Sequence, residues 1–199
     1  MLVFWDQKLV FLATPKTGST AIEAALESLA EVAILRPPVM KHTTSMRYRK
    51  YLQPFLERNS GQPFTAVALM REPIDWLGSW YRFRQREAIR DTNKSTYGMS
   101  FDDFVTSYMA KPRPEFADVG SQATFLMGKN GNGVDRIFLY EDISAFVAFL
   151  EDRLGCEIVL PRVNVSPPGE TTLSPKVRAL YERTYPEEFE LYERVRAAT

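Results

Sequence analysis

The chain has 199 residues, 45% hydrophobic and 13% aromatic, with 25 Lys+Arg against 25 Asp+Glu. That size and composition suit one globular domain, residues 1–199, with a core of its own. The balanced charge points away from nucleic acid as a partner, and no run of about 18 apolar residues points to a membrane span. A single cysteine, Cys156, excludes an internal disulfide and fits a reducing compartment, so the expected setting is the cytoplasm, without an anchor.

In chain order, residues 1–5 are apolar, Asp6-Gln7 reads as a tight turn, and 8–13 (KLVFLA) as a buried strand. The pair predicts a hairpin whose second strand enters the sheet core. Residues 14–18 (TPKTG) are a polar turn, and 19–30 carry Ile22, Ala25, Leu26 and Leu29 at helical spacing, with Ser19 or Thr20 as the cap. Strand, glycine-containing turn and helix start make a layout that holds phosphate. The first turn of a helix has unpaired N–H groups and partial positive charge. Gly18 lets the backbone approach, Lys16 adds a point charge, and Ser19 and Thr20 add hydroxyls. The plain reading is a βα turn with a capped helix. The loop is not a Walker A loop, because Lys16 precedes the only glycine instead of following a second one.

Residues 31–35 read as a short strand, and Arg36-Pro37-Pro38 breaks any helix. Thr44 or Ser45 caps a helix to about Leu52, followed by a short element and loop over 53–63. Residues 64–70 (FTAVALM) are the second strong buried strand. Pro73 then opens a long helix, 74–89. Residues 90–100 read as a polar, mobile loop, 101–109 as a helix capped by Ser100, and 111–114 as another loop. Residues 121–127 are ambiguous between element types, 128–133 form a turn, and 134–140 a third buried strand. Residues 142–154 form an amphipathic helix, 158–160 an edge piece, and helices start at Ser174-Pro175 and Pro186.

Strands alternating with helices predict an α/β fold with a mainly parallel sheet flanked by helices. Ligands in such sheets bind beyond the carboxyl ends of the strands. Lys16 and Arg71 both fall there. Ser79 follows Arg71 by eight residues, about 12 Å of helix, so one anion along that helix can reach both. The plain reading makes Arg71 a strand end and Ser79 a packing residue.

PKTGST after a strand resembles the 5′-phosphosulfate loop of sulfotransferases that use 3′-phosphoadenosine 5′-phosphosulfate (PAPS). VALMREPIDWLGSWYRFR resembles their 3′-phosphate signature. LYEDISAFVAFLEDRLG is similar to the third strand and following helix. LPRVNVSP and LSPKVRALYERTYPEEFELY resemble the C-terminal part of the carbohydrate-sulfotransferase branch. The resemblance covers nearly the whole chain, in order. It implies a P-loop NTPase-like three-layer fold and transfer of a sulfuryl group to an acceptor hydroxyl or amine of a carbohydrate or small molecule. It implies that Lys16 stabilises charge on the bridging oxygen, as cations do in phosphoryl transfer. Thr17, Gly18, Ser19 and Thr20 would hold the 5′-phosphate, and Arg71 and Ser79 the 3′-phosphate. No metal is needed in this scheme.

The resemblance also places a base at His42, the only histidine, whose titration range suits that role; Glu23 and Glu72 are the other candidates. A lone histidine is otherwise more often structural. Two family features are missing. Ala21 stands where better-known members carry an adenine-stacking Trp, and no Arg-Lys-Gly clamp is recognisable, residues 163–169 occupying that region. Arg82, Arg86 and Arg90 recur every four residues, as a solvated face or as an attractor for an anionic acceptor such as an acidic sugar. Lys41, Arg47, Arg49 and Lys50 near His42 raise the same question. Trp76, Trp80 and Tyr81 read as core, and the loops 90–100 and 111–120 as walls of the acceptor pocket. A P-loop nucleotide kinase and a non-catalytic nucleotide-binding protein of the same fold are the competing readings.

Overall fold

The structure, a computed structural model, describes residues 1–128, 133–161 and 170–198. It is an α/β fold built on a mixed five-stranded sheet in the order β3-β1-β2-β4-β5. The strands are β1 (Leu2–Phe4), β2 (Leu9–Leu12), β3 (Val32–Ala33), β4 (Thr65–Met70) and β5 (Arg136–Leu139). β1 pairs antiparallel with both β2 and β3, whereas β2, β4 and β5 are parallel neighbours. Four strands therefore point one way, and β1 opposes them as the first arm of the expected hairpin.

The helices are α1 (Ser19–Leu26), α2 (Pro38–Lys41), α3 (Ser45–Arg47), α4 (Gln53–Ser60), α5 (Pro73–Arg84), α6 (Phe101–Met109), α7 (Gln122–Met127), α8 (Ile143–Leu154), α9 (Pro175–Thr184) and α10 (Pro186–Ala197). Alternation along the central strands divides the core. Val10, Leu12, Ala66, Ala68 and Met70 face Tyr48, Leu56, α7 and α10. Phe11, Val67, Leu69 and Phe138 face Ile22 of α1 and Phe146 and Leu150 of α8. Period-two alternation sends successive side chains to opposite faces, so both faces of the sheet are covered. A third cluster joins Trp76 and Leu77 of α5 to Phe104 and Tyr108 of α6 and Tyr181 of α9.

Several elements differ from expectation for local reasons. The first helix ends at Leu26 and tightens into a 3₁₀ turn, Glu27–Leu29. Pro54 does not end the second helical stretch. In a wide π turn, Tyr48–Leu52, Gln53 N–H donates to the carbonyl of Tyr48, its first residue, and the chain continues past a residue with no N–H to give. The helix predicted over 74–89 stops at Arg84, because Thr96, fully buried, takes the carbonyls of its last turn. Thr96 N–H donates to Arg84 O and its hydroxyl to Tyr81 O. The loop 90–100 is thus pinned in its middle. The stretch 121–127 is helical from 122, with Ser121 Oγ accepting Thr124 N–H. β5 is shorter than predicted and lies at the sheet edge, which leaves Arg136 exposed. The predicted edge piece at 158–160 is not a strand: Ile158 is buried and its N–H donates to the Glu151 carboxylate. Residues 163–169, expected in the region of the missing clamp, lie outside the described residues.

Under α7, α10 contributes a fully buried carboxyl, Glu188, which accepts Ala123 N–H at 3.2 Å through Oε2 and faces Ser121 and the Gln122 N–H. Burial pushes it from 4.5 up to about 7. Above 4.5 the unfolded chain has released this proton while the folded chain still holds it, so stability falls as pH rises towards 7. In Glu188→Gln the melting temperature should depend less on pH between about 5 and 8, and should exceed the parent's at the upper end. Parallel pH-melting curves for the two proteins would overturn this assignment.

Candidate functional site

The loop 14–18 joins the carboxyl end of β2 to α1. Two of its residues have left-handed backbones, Gly18 (φ 72°) and Lys16 (φ 65°). Only the first is a glycine, so Lys16 carries a local cost of about 1–2 kcal/mol that neighbouring bonds must offset. Thr17 Oγ1 donates to Thr14 O across the turn, at 3.0 Å. The Trp76 indole N–H donates to Pro15 O at 2.8 Å. Arg71 Nη1 reaches Lys16 O at 3.5 Å. α1 starts directly behind the turn with Gly18 as its cap residue and no side-chain cap. Ser19 and Thr20 therefore lie inside the helix and do not cap it; Ala21 N–H donates to Gly18 O at 2.9 Å, while the Ser19 and Thr20 N–H groups have no acceptor among the described residues. Ser19 is buried, while Thr20 is exposed and its hydroxyl receives Lys41 Nζ at 3.4 Å.

The Lys16 ammonium lies against α5. Its Nζ is 3.3 Å from the centroid of the Phe83 ring and 4.7 Å from that of Trp80. Among the described residues no carboxylate pairs with it. Burial first, then Arg86, Arg84 and Arg71, lower it from 10.5 to about 7. Arg71, at the end of β4, has its backbone clamped by the fully buried Gln122, which accepts Arg71 N–H and donates to Arg71 O, each at 2.9 Å. Its guanidinium stacks over Tyr140 at 4.8 Å and meets Asp75 only at 3.9 Å, and Nε is buried without a partner. Trp80 Nε1, Arg84 Nε and Thr14 Oγ1 are likewise buried, and like Arg71 Nε they have no partner among the described residues. Buried donors are normally paired, so this concentration of open donors and cations around one loop fits an anionic ligand. Ser79 is buried on α5, next to Gly78, which packs against Thr171.

His42 ends α2 and is half-buried, with Nδ1 2.7 Å from Ala13 O. A carbonyl only accepts, so Nδ1 carries the proton and the neutral ring's Nε2 keeps its lone pair. Nε2 has no partner among the described residues. Burial lowers the ring's pKa more than the Ala13 bond raises it. Of the other two candidate bases, Glu23 is buried and bound by Lys41 Nζ at 2.6 Å and the Met1 amino group at 3.2 Å. Glu72 caps α5 through Asp75 N–H at 2.7 Å. Lys41 and Arg49, near His42, are committed to Glu23 and Asp135 respectively.

The structure thus brings Lys16, Arg71 and His42 to one loop. His42 meets it at the Ala13 carbonyl and Arg71 at the Lys16 carbonyl. The sequence pattern places Trp76, Trp80 and Tyr81 of α5 in the core. Trp76 and Tyr81 are buried there, but Trp80 and Phe83 seat Lys16. The signal was present in the i,i+3 spacing of two aromatic residues on one helix face.

No protein-family model matches this chain, and a search of curated proteins returns no match. Among the described residues no group of His, Cys, Asp and Glu converges as a metal site, and no helix is long and apolar enough to cross a membrane.

Two outcomes follow from the loop. In Gly18→Ala a Cβ would strain the left-handed backbone and stand 3.0 Å from the Tyr140 ring. Urea unfolding should register a loss of about 1–2 kcal/mol; an unchanged midpoint would contradict the loop geometry. For Lys16, the rate of acylation followed by peptide mass spectrometry should rise with a midpoint near pH 7. A rate still climbing towards pH 10 would overturn the assigned environment.

Proposed function

We propose that this chain is a PAPS-dependent sulfotransferase with a P-loop NTPase-like arrangement, acting on an acceptor hydroxyl of a carbohydrate or small molecule. The observation that carries this reading is the meeting of Lys16 and Arg71 beyond the carboxyl ends of two adjacent parallel strands, with no carboxylate neutralising Lys16. When bound, PAPS supplies the sulfuryl group. The open N–H groups from Thr17 to Thr20 at the start of α1 hold the 5′-phosphate. Arg71, its backbone fixed by Gln122, and Ser79 hold the 3′-phosphate. Lys16 offers an ammonium that gains its proton most readily where an anion lies beside it. His42 Nε2 takes the acceptor's proton, because Ala13 O fixes the tautomer and burial keeps the ring neutral near pH 7. The committed carboxylates of Glu23 and Glu72 leave His42 as the favoured base.

Thermal-shift titration tests the donor site with 3′-phosphoadenosine 5′-phosphate (PAP), beside ADP and ATP. A ligand at a hundred times its Kd adds about 2.7 kcal/mol of stability. PAP should give the largest shift, Lys16→Ala and Arg71→Ala should lose it, and His42→Ala should keep it while abolishing sulfuryl transfer. A shift with ATP alone would replace this reading with a nucleotide kinase. PAP binding with transfer surviving in His42→Ala would remove the histidine from its role.

A further inference from the structure

We infer that Lys16, Phe83 and Arg86 form an anion subsite separate from the one Arg71 serves, and that it takes a negatively charged group of the acceptor. The assignment to the acceptor rests on the donor-site reading above; the anion subsite itself does not.

The three arginines spaced along α5 and beyond do not act as one stripe. Arg82 donates to Thr171 Oγ1 at 3.1 Å. Arg90 pairs with Glu87 at 3.4 Å and stacks on Tyr97 at 3.7 Å. Arg86 alone turns to the loop. Its guanidinium carbon is 4.4 Å from the centroid of the Phe83 ring, the ring that Lys16 Nζ also touches. Two cations share one aromatic ring. Neither has a carboxylate partner among the described residues. The acids on this side are engaged elsewhere: Glu115 with Lys94 at 3.5 Å, Glu115 and Asp118 facing Arg84, and Glu87 with Arg90.

Contacts progress along α5 in one direction. Arg71 precedes the helix, Trp76 holds Pro15, Trp80 and Phe83 hold Lys16, and Arg86 follows the last turn. The twelve residues of α5 span about 18 Å. Arg71 meets the loop at the Lys16 carbonyl, whereas Arg86 meets it at the ring that also carries the Lys16 ammonium, so the two arginines approach Lys16 at different atoms. A second anion at Arg86 relieves the repulsion between two cations on one ring, and an arginine presents paired donors suited to a carboxylate or sulfate. An acceptor carrying such a group near its reacting hydroxyl fits this end; a neutral one leaves Arg86 unanswered.

The probe is inorganic sulfate against chloride at equal ionic strength, on protein saturated with PAP, with melting temperature as readout. Sulfate should stabilise saturably. Arg86→Gln should weaken it roughly tenfold, and Arg90→Gln by no more than about twofold. In the same PAP complex, 4-nitrophenyl β-glucuronide should outcompete the matching glucoside for the sulfate site by roughly tenfold, and Arg86→Gln should erase that preference. Equal sulfate effects in Arg86→Gln and parent, with PAP binding intact, would overturn the subsite. Sulfate displaced by PAP would assign the anion to the donor loop and overturn it too. Equal competition by the two sugars would overturn the acceptor assignment. Arg86-dependent sulfate binding without any PAP shift would uphold the subsite while the donor reading fails.

Discussion

The hydrogen bond from the Trp76 indole to Pro15 O holds the candidate site together. A turn with a left-handed lysine is costly on its own, and most such turns would relax by rotating that residue. Here rotation would strand a buried indole N–H, a loss of about 1–3 kcal/mol. The bond also sets where the lysine side chain goes. Trp80 lies one turn beyond Trp76 on the same face of α5, and Phe83 nearly one turn further, so a loop held at Pro15 delivers the next residue's amine onto those two rings. One contact thus fixes both a strained backbone and the position of a cation.

The electrostatics follow from the same packing. α5 brings Arg82 and Arg84 to its last turn, Arg86 follows it, and Arg71 follows β4, while the nearby acids Asp75, Glu87 and Glu115 are exposed. Desolvation raises the cost of holding charge on Lys16, Arg82 and Arg84. Lys16 responds by losing its proton near neutral pH, which is the least costly answer for a flexible amine. The arginines stay charged and cover themselves with aromatic faces: Arg71 on Tyr140, Arg84 on Trp80, Arg86 on Phe83. Aromatic faces satisfy a cation only in part, and the unpartnered Nε atoms of Arg71 and Arg84 mark what is left over.

Much of the framework was legible in the residues. KLVFLA and FTAVALM, apolar and β-branched, could hardly be anything but central strands, and the caps at Ser100 and Ser174 fall where their side chains predict. What escaped were features set by distant partners. The stop of α5 at Arg84 depends on Thr96, and the helix through Pro54 depends on one π turn. At the site, sequence spacing put Lys16 and Arg71 past their strands, but it could not tell that His42 would reach back to Ala13, nor that Phe83 would be shared by two cations. The His42–Ala13 and Lys16–Phe83 contacts join segments separated by tens of residues, and local spacing shows only that Trp80 and Phe83 share a helix face.

The loop also links the two groups that the proposed reaction asks to move protons. His42 is tied to Ala13 at its start and Lys16 lies within it, so the same few residues set the position of both. Burial lowers both pKa values, and each rests with a neutral form accessible near pH 7. The consequence is a resting site less positive than its formal charges suggest, which reduces self-repulsion in the empty loop. An anion placed at the loop reverses this. It favours the protonated amine of Lys16 directly and, by its own charge, makes His42 a stronger base. Charge that is costly to hold in the free protein is thus assembled at the moment an anionic partner is there to balance it. On the proposed reading, that partner is the donor, and the proton His42 then accepts is the acceptor's.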